Sequence, residues 1–577
     1  MSDSLFLITG GGTGAKVAEA LVHLCAAGVA PRRVHVLLVD ADTTNGNLQR
    51  ALHSARAYQA VQRWPWAVET TTGGLFSKSK AYLQIFGSEL AVTTLTETMD
   101  TTRDGGIANQ ATTDDMRLVL DLLYDADEQT ASCDDGFRAR PNLGCLVLAD
   151  HLADKLPAHA GPFLDALVRE AAGGQPVPVV VAASIFGGTG ASLLPVVRGA
   201  IEDALRRREA DRTVTALRWG AAMILPHYQP ARRIESVDPD RYLLDTANAL
   251  QFYGMAQEVT DGTLFDAIYA IGSDRPSRNI VEPVLGQKAQ ANPAYVEEMV
   301  GALGAVHFAE TLGEGRRAVR VYQPDRGQER LAWSDLPLGA DERLRTRAAY
   351  LLHLGAFFLR PGDPYRADLT KGLAALLATT PDAEIEAYAW FKDILSPWAA
   401  GVNPTYAATP AGRRASALKS PAVMGEASVD ALRPAAVEYF GRLLLWAASA
   451  LRDGADGRGV LHFVDFHADG DYMLLQGEMA RKGLDVDAPA PGAATADPTA
   501  DNALARLLRT ALAAEVSAHE RTGGKGVVAG VFALVDADGR IGLRITPEQV
   551  RQALAAERLG DVADEYTRTA MAASTTA

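Results

Sequence analysis

The sequence predicts an α/β fold built on a mostly parallel sheet, and three observations carry that prediction. Two short apolar runs, Leu5–Thr9 and Val177–Ala183, each break into a glycine-rich turn that opens a stretch of helical composition. A third run, Val34–Val39, is apolar without alternation, as expected of a strand covered on both faces. Strand, helix and covered strand in succession make a βαβ unit.

Taken in order, Leu5–Thr9 reads as the first strand, and Gly10–Gly14 as too flexible for either element. Ala15–Ala27 reads as a helix that Gly28 and Pro31 stop. Residues 60–135 read as an insertion or elaborate loop region, because clusters at Thr70–Gly74 and Thr93–Gly106 break up short helical patterns. The rhythm resumes at Val177, passes a second glycine turn and continues as a helix over Leu193–Arg208. Strands fit Trp219–Leu225 and Phe265–Ile271, and a long helix fits Pro293–Leu312. An arginine-rich stretch (Gly313–Arg330) then precedes an amphipathic helix over Asp341–Leu359. Hairpin signals follow at Leu461–Leu475 and Val531–Ile545, and Thr546-Pro547-Glu548-Gln549 is a helix start with a Thr cap and Pro in the first turn. The expected organisation is a first domain over 1–290, a central helix over 291–313, a second α+β domain over 314–486, a linker over 487–501, a C-terminal α+β extension over 502–570 and a tail over 571–577.

Composition excludes several function classes. The chain has 577 residues, 48% hydrophobic and 22% charged, which is ordinary for a globular protein and leaves ample core. Its 71 acidic against 56 basic side chains give a net charge of −15, which argues against general nucleic-acid binding or capture by anionic membrane. Three cysteines, Cys25, Cys133 and Cys145, none in a C-x-x-C or other paired spacing, build neither a disulfide framework nor a zinc ribbon and fit a reducing, cytoplasmic setting. No window approaches the ~20 apolar residues of a membrane span, and Leu5–Ile8 is a strand's length rather than a signal peptide.

The chemistry concentrates in the two glycine turns, Gly10-Gly11-Gly12-Thr13-Gly14-Ala15 and Gly187-Gly188-Thr189-Gly190-Ala191-Ser192. Each follows a strand and opens a helix, so backbone N–H groups and a helix N-terminus face one point, an arrangement suited to phosphate. A single turn of this kind has an ordinary structural explanation. Two copies of G-G-T-G-A at strand ends in one sheet suggest opposite jaws of one polyphosphate site. Gly10, Gly12 and Ala15 with Asp40 also fit a dinucleotide fingerprint, the acid sitting on a ribose hydroxyl. A Walker-type reading takes Lys16 as the phosphate lysine, but Ala15 and Val17 stand where Gly and Ser or Thr belong.

The stretch Ala182–Ser192 resembles the phosphate-binding signature of the tubulin/FtsZ family, and the order of the other parts agrees. The N-terminal turn, the acidic turn at Asp40 and Asp42, and Gly136–Gly144, with Arg140 and Asn142, resemble that family's first three nucleotide loops. Ile271–Arg275, with Ser273 in place of a base-reading Asn, resembles the loop that approaches the base. Asn292-Pro293-Ala294-Tyr295 opens the long helix, Tyr295 standing where the family stacks an aromatic on guanine; Met299 replaces the next base reader, with Glu298 as nearest substitute.

The resemblance implies a Rossmann-like nucleotide-binding domain, a GTP/GDP site and Mg2+ held mainly by phosphates and water, with Asp42 ordering that water. It further implies head-to-tail self-association into filaments, with hydrolysis completed across the subunit interface by an acid that orients the attacking water. Asp335 is the first choice for that acid, with Asp341 or Glu342 behind it. The alternatives are an NAD(P)-binding oxidoreductase, a Walker-like partitioning ATPase, and a catalytically inactive nucleotide-gated scaffold whose C-terminal region recruits a partner protein.

Other clusters read as structural. His462 and His467 fall on opposite faces of a hairpin strand, Asp536-Ala537-Asp538-Gly539 lacks the rest of a calcium loop, and Gly523-Gly524-Lys525-Gly526 is a turn. Arg206–Arg208 ends a helix, where cations oppose the macrodipole.

Overall fold

A computed structural model describes residues 2–62, 67–71, 78–82 and 87–96, most of 113–230, and residues 246–253, 264–272 and 292–312, together with isolated positions and helical residues between 435 and 450. Strands β1 (Ser4–Gly10), β2 (Arg33–Val39), β5 (Glu89–Leu95), β6 (Val177–Ser184), β7 (Leu217–Ile224) and β9 (Ala267–Ile271) form one six-stranded sheet in the order β5-β2-β1-β6-β7-β9. Every pairing in that sheet is parallel. Two small ladders stand apart: the antiparallel pair β3 (Ala67–Thr71) and β4 (Lys78–Tyr82), and the parallel pair β8 (Gln229–Pro230) and β10 (Ile280–Val281).

Numbered by chain order, this sheet runs 3-2-1-4-5-6, the doubly wound order in which β1 and β6 flank the point where the winding reverses. Parallel pairing places the C-terminal ends of β1 and β6 side by side, Gly10 registering with Ala183. Both faces of the sheet are covered, which accounts for the unalternating apolar runs. On one face Phe6, Ile8, Val179, Val181, Trp219 and Met223 join a core with α5 (Pro141–His159), α6 (Gly161–Ala171) and α7 (Gly188–Arg207). On the other lie α1 (Gly11–Ala26), α2 (Gly46–Gln62) and α9 (Val296–Thr311), the last packed on α1 and β7. The remaining helices are α3 (Asp114–Leu123), α4 (Ala126–Gln129) and α8 (Asp211–Ala216).

Among the described residues the expected strands and helices are present, with three changes, whereas the helix expected over Asp341–Leu359 lies largely outside them. Both glycine turns are already helical, α1 starting at Gly11 and α7 at Gly188, so these glycines are first-turn residues rather than loop. The segment 60–135, read as an insertion, contributes β5, the sheet's edge strand beside β2. The long helix spans Val296–Thr311, shorter than the 291–313 expected; it starts after Tyr295, whose extended backbone donates its N–H to Glu298 Oε2 in the first turn. Arg206 pairs with Asp203 and Arg208 with Asp165, so the arginines at the end of α7 serve the fold. Tyr439 and Trp446, from the helical residues between 435 and 450, pack on His23 of α1, and Tyr439 also meets Tyr58 of α2. Ser273, Asp335, Asp341 and Glu342 lie outside the described residues, as do the linker, the hairpins and the C-terminal elements. No helix among the described residues is long and apolar enough to cross a membrane.

Candidate functional site

The two glycine turns meet at the switch point. Gly11 takes a left-handed φ of +68°, a conformation that favours glycine, and a Cβ there would lie 3.2 Å from Thr189 Cβ and 3.5 Å from Gly190 N. Gly11, Gly12 and Thr13 on one side, and Gly187 and Gly188 on the other, remain partly accessible while the strands beneath them are buried. Two helix N-termini therefore converge on one opening at the C-terminal edge of the sheet, each presenting backbone N–H groups that lack an intrahelical acceptor. Gly14 sits beneath this opening, against the backbone of β6.

The acidic turn after β2 closes one side. Asp40 accepts from Asp42 N and from Asn45 Nδ2 at 3.2 and 3.3 Å, and the Thr189 side chain reaches the same carboxylate from the second glycine turn. Burial pushes Asp40 up to about 7, and the neighbouring Asp42 charge adds to that rise. Asp42 Oδ1 accepts from Thr44 N and Oγ1 at 2.9 and 2.8 Å. Among the described residues no group of three His, Cys, Asp or Glu side chains is placed to hold a metal ion.

The start of α5 closes another side. Ser192 Oγ lies within hydrogen-bond reach of Gly188 O and Pro141 O, and Cys145 Sγ contacts Ser192 O, so α5 and the second glycine turn are held together. Asn142 is exposed there, its Nδ2 donating to Glu128 Oε1, and Arg140 is half-buried. Ala191 and Gly190 are buried in the first turn of α7 beneath this edge. The first and second glycine turns, the acidic turn and the Arg140–Gly144 stretch thus gather at one end of the sheet.

The second end of the site is a closed polar cluster. Lys16, one turn into α1 and 1% exposed, forms an ion pair with Glu298 Oε1 at 2.5 Å and donates to Pro293 O. The same carboxylate oxygen meets His227 Nε2 at 2.8 Å, and Oε2 accepts from Tyr295 N at 2.6 Å. Burial works to raise Glu298, but Lys16 and His227 outweigh it and hold the carboxyl at about 2. The Tyr295 ring lies 5.0 Å from Lys16 Nζ and stacks near-parallel to Tyr228. Glu298 is therefore fully engaged by the protein. Beside it, Glu297 is buried with Oε2 lacking a hydrogen-bond partner, and burial raises that carboxyl to about 7.

Lys16, which a Walker-type reading takes as the phosphate lysine, is thus engaged by Glu298 of α9. His227, Tyr228, Asn45, Asn47 and Glu297 escaped the sequence reading. His227 and Tyr228 lie just past the end of β7, where ligand contacts collect in doubly wound sheets, and that position was the available signal. Neither the comparison with protein-family models nor that with curated proteins finds a match to this chain.

Proposed function

We propose that this chain is a nucleotide-binding protein of tubulin/FtsZ type, which takes GTP with Mg2+ between its two glycine turns and assembles head to tail over the bound nucleotide. The observation that carries the reading is the convergence of two helix-opening glycine turns at the C-terminal ends of adjacent strands β1 and β6 in a 3-2-1-4-5-6 sheet. One phosphate chain then accepts from both sets of amides, which a single-turn dinucleotide fold leaves unexplained. Asp42 suits the water shell of the magnesium ion, and Tyr295 the base end. GTP bound here would supply the γ-phosphoryl group for hydrolysis, and an acid from a neighbouring subunit, Asp335 first and Asp341 next, would orient water toward it.

One observation keeps a second reading in view. Asp40 stands at the end of β2, where dinucleotide enzymes place the acid that reads ribose, although here its oxygens are taken by Asp42 N, Asn45 and Thr189. Titration with GTP, ATP and NAD, followed by light scattering, separates the two. Preferential GTP binding with nucleotide-dependent scattering supports the lead reading; tight NAD binding without assembly overturns it. If Asp335→Ala leaves phosphate release unchanged while assembly persists, Asp335 is not the acid.

A further inference from the structure

Two side-chain amides crowd the accessible first glycine turn. Asn45 and Asn47 are both buried, and a Cβ at Gly12 would lie 3.0 Å from Asn47 Nδ2 and 3.1 Å from Asn45 Nδ2. Asn45 has work within the protein: Nδ2 donates to Asp40 and Oδ1 accepts from Asn47 N. Asn47 differs. Its side chain is 1% exposed, and Oδ1 has no hydrogen-bond partner. A buried acceptor left unmatched is costly, and native folds retain few of them.

Its position says what would match it. On one side its carboxamide lies close enough to Gly12 that a Cβ there would come within 3.0 Å of Nδ2, at the end of the site lined by the first glycine turn. One turn along α2, Arg50 Nη1 donates to Asn292 O at 2.7 Å, and Lys16 donates to Pro293 O, so α1 and α2 bind the segment that leads to Tyr295. Asn47 thus stands between the anion-binding end and the aromatic end of one wall. In a nucleotide, the part lying between phosphate and base is the sugar, whose hydroxyls are donors. A magnesium-bound water beside the phosphates is an O–H donor of the same kind.

We infer that Asn47 is a ligand-binding residue whose carboxamide oxygen accepts an O–H donor carried in with the nucleotide, either a sugar hydroxyl or a metal-bound water. This rests on the nucleotide reading above, and the test separates its failure from that one. GTP and 2′,3′-dideoxy-GTP are titrated into wild type and Asn47→Leu, each with Mg2+ and with EDTA, with circular dichroism confirming that the variant is folded. Loss of about tenfold in GTP affinity in Asn47→Leu is expected. If the wild type prefers GTP over the dideoxy compound and the variant does not, the donor is a sugar hydroxyl. If the variant's loss is equal for both nucleotides and disappears in EDTA, the donor is metal-bound water. A variant that binds GTP like wild type, or one weakened equally under all four conditions, overturns the assignment. So does a wild type that binds both nucleotides equally with and without Mg2+, a result that needs no folded variant. A wild type that binds no GTP at all removes the nucleotide reading itself.

Discussion

At the scale of single residues, Gly11 holds a left-handed φ that an L side chain adopts only at a cost of about 1–2 kcal/mol. Gly11→Ala should lower stability by about that amount in urea unfolding. Because the new Cβ would lie 3.2 Å from Thr189 Cβ, the same change should weaken the proposed nucleotide binding. Lys16 and Glu298 make a stricter case, since both are buried and each compensates the other. Lys16→Met removes the cation and leaves the buried carboxylate with His227 and the Tyr295 N–H alone, an expected loss of about 3–5 kcal/mol, whereas Lys16→Met with Glu298→Leu should recover much of it. Glu297 has the opposite sign. Its folded value of about 7 lies above the unfolded 4.5, so the folded state holds more protons across that window and stability falls as pH rises through it. Melting temperatures between pH 4.5 and 7 should show a shallower decline in Glu297→Gln than in wild type. The glycines and Asp40 were legible because chemistry and spacing are local there. Asn47, His227 and Glu297 were not, since each draws its meaning from partners or missing partners supplied by distant segments, His227 meeting Glu298 across 71 positions of chain.

At the scale of elements, strands covered on both faces declare themselves by unbroken apolar composition, so β1, β2, β6 and β7 were legible. Strand β5 was not, because an edge strand is only half-covered: Leu90 and Leu95 are buried, whereas Glu89 is exposed and Thr93-Thr94 read as a turn cluster. The start of α1 was hidden by the glycines, whose helix propensity is low but which the close approach of α7 requires, since a Cβ at Gly10 would lie 2.8 Å from Leu193 Cδ2. Helix α9 depends on small residues along its buried side. A Cβ at Gly301 would lie 3.1 Å from Ile224 Cδ1, and one at Gly304 3.0 Å from Tyr269 Cδ1. Gly301→Val should therefore overpack the contact with β7 and α1 and destabilise by about 1–3 kcal/mol in denaturant unfolding. Because Tyr295 and Glu298 open this helix, the same substitution should disturb the Lys16–Glu298–His227 cluster before the glycine turns.

At the scale of the whole molecule, a chain carrying −15 net charge resists stacking on copies of itself unless bound cations or opposite charges at the interface offset the repulsion. If the chain assembles as proposed, assembly should rise with magnesium and respond to ionic strength, which light scattering across a salt series would record. The central claim is that both glycine turns hold one nucleotide. Isothermal titration of the intact chain with GTP and Mg2+, in wild type and in Gly12→Val and Gly188→Val separately, tests it most directly. The account predicts one GTP per chain in the wild type and loss of that binding in each variant. Unchanged GTP binding when either turn is blocked, or binding of NAD in place of GTP, would contradict it.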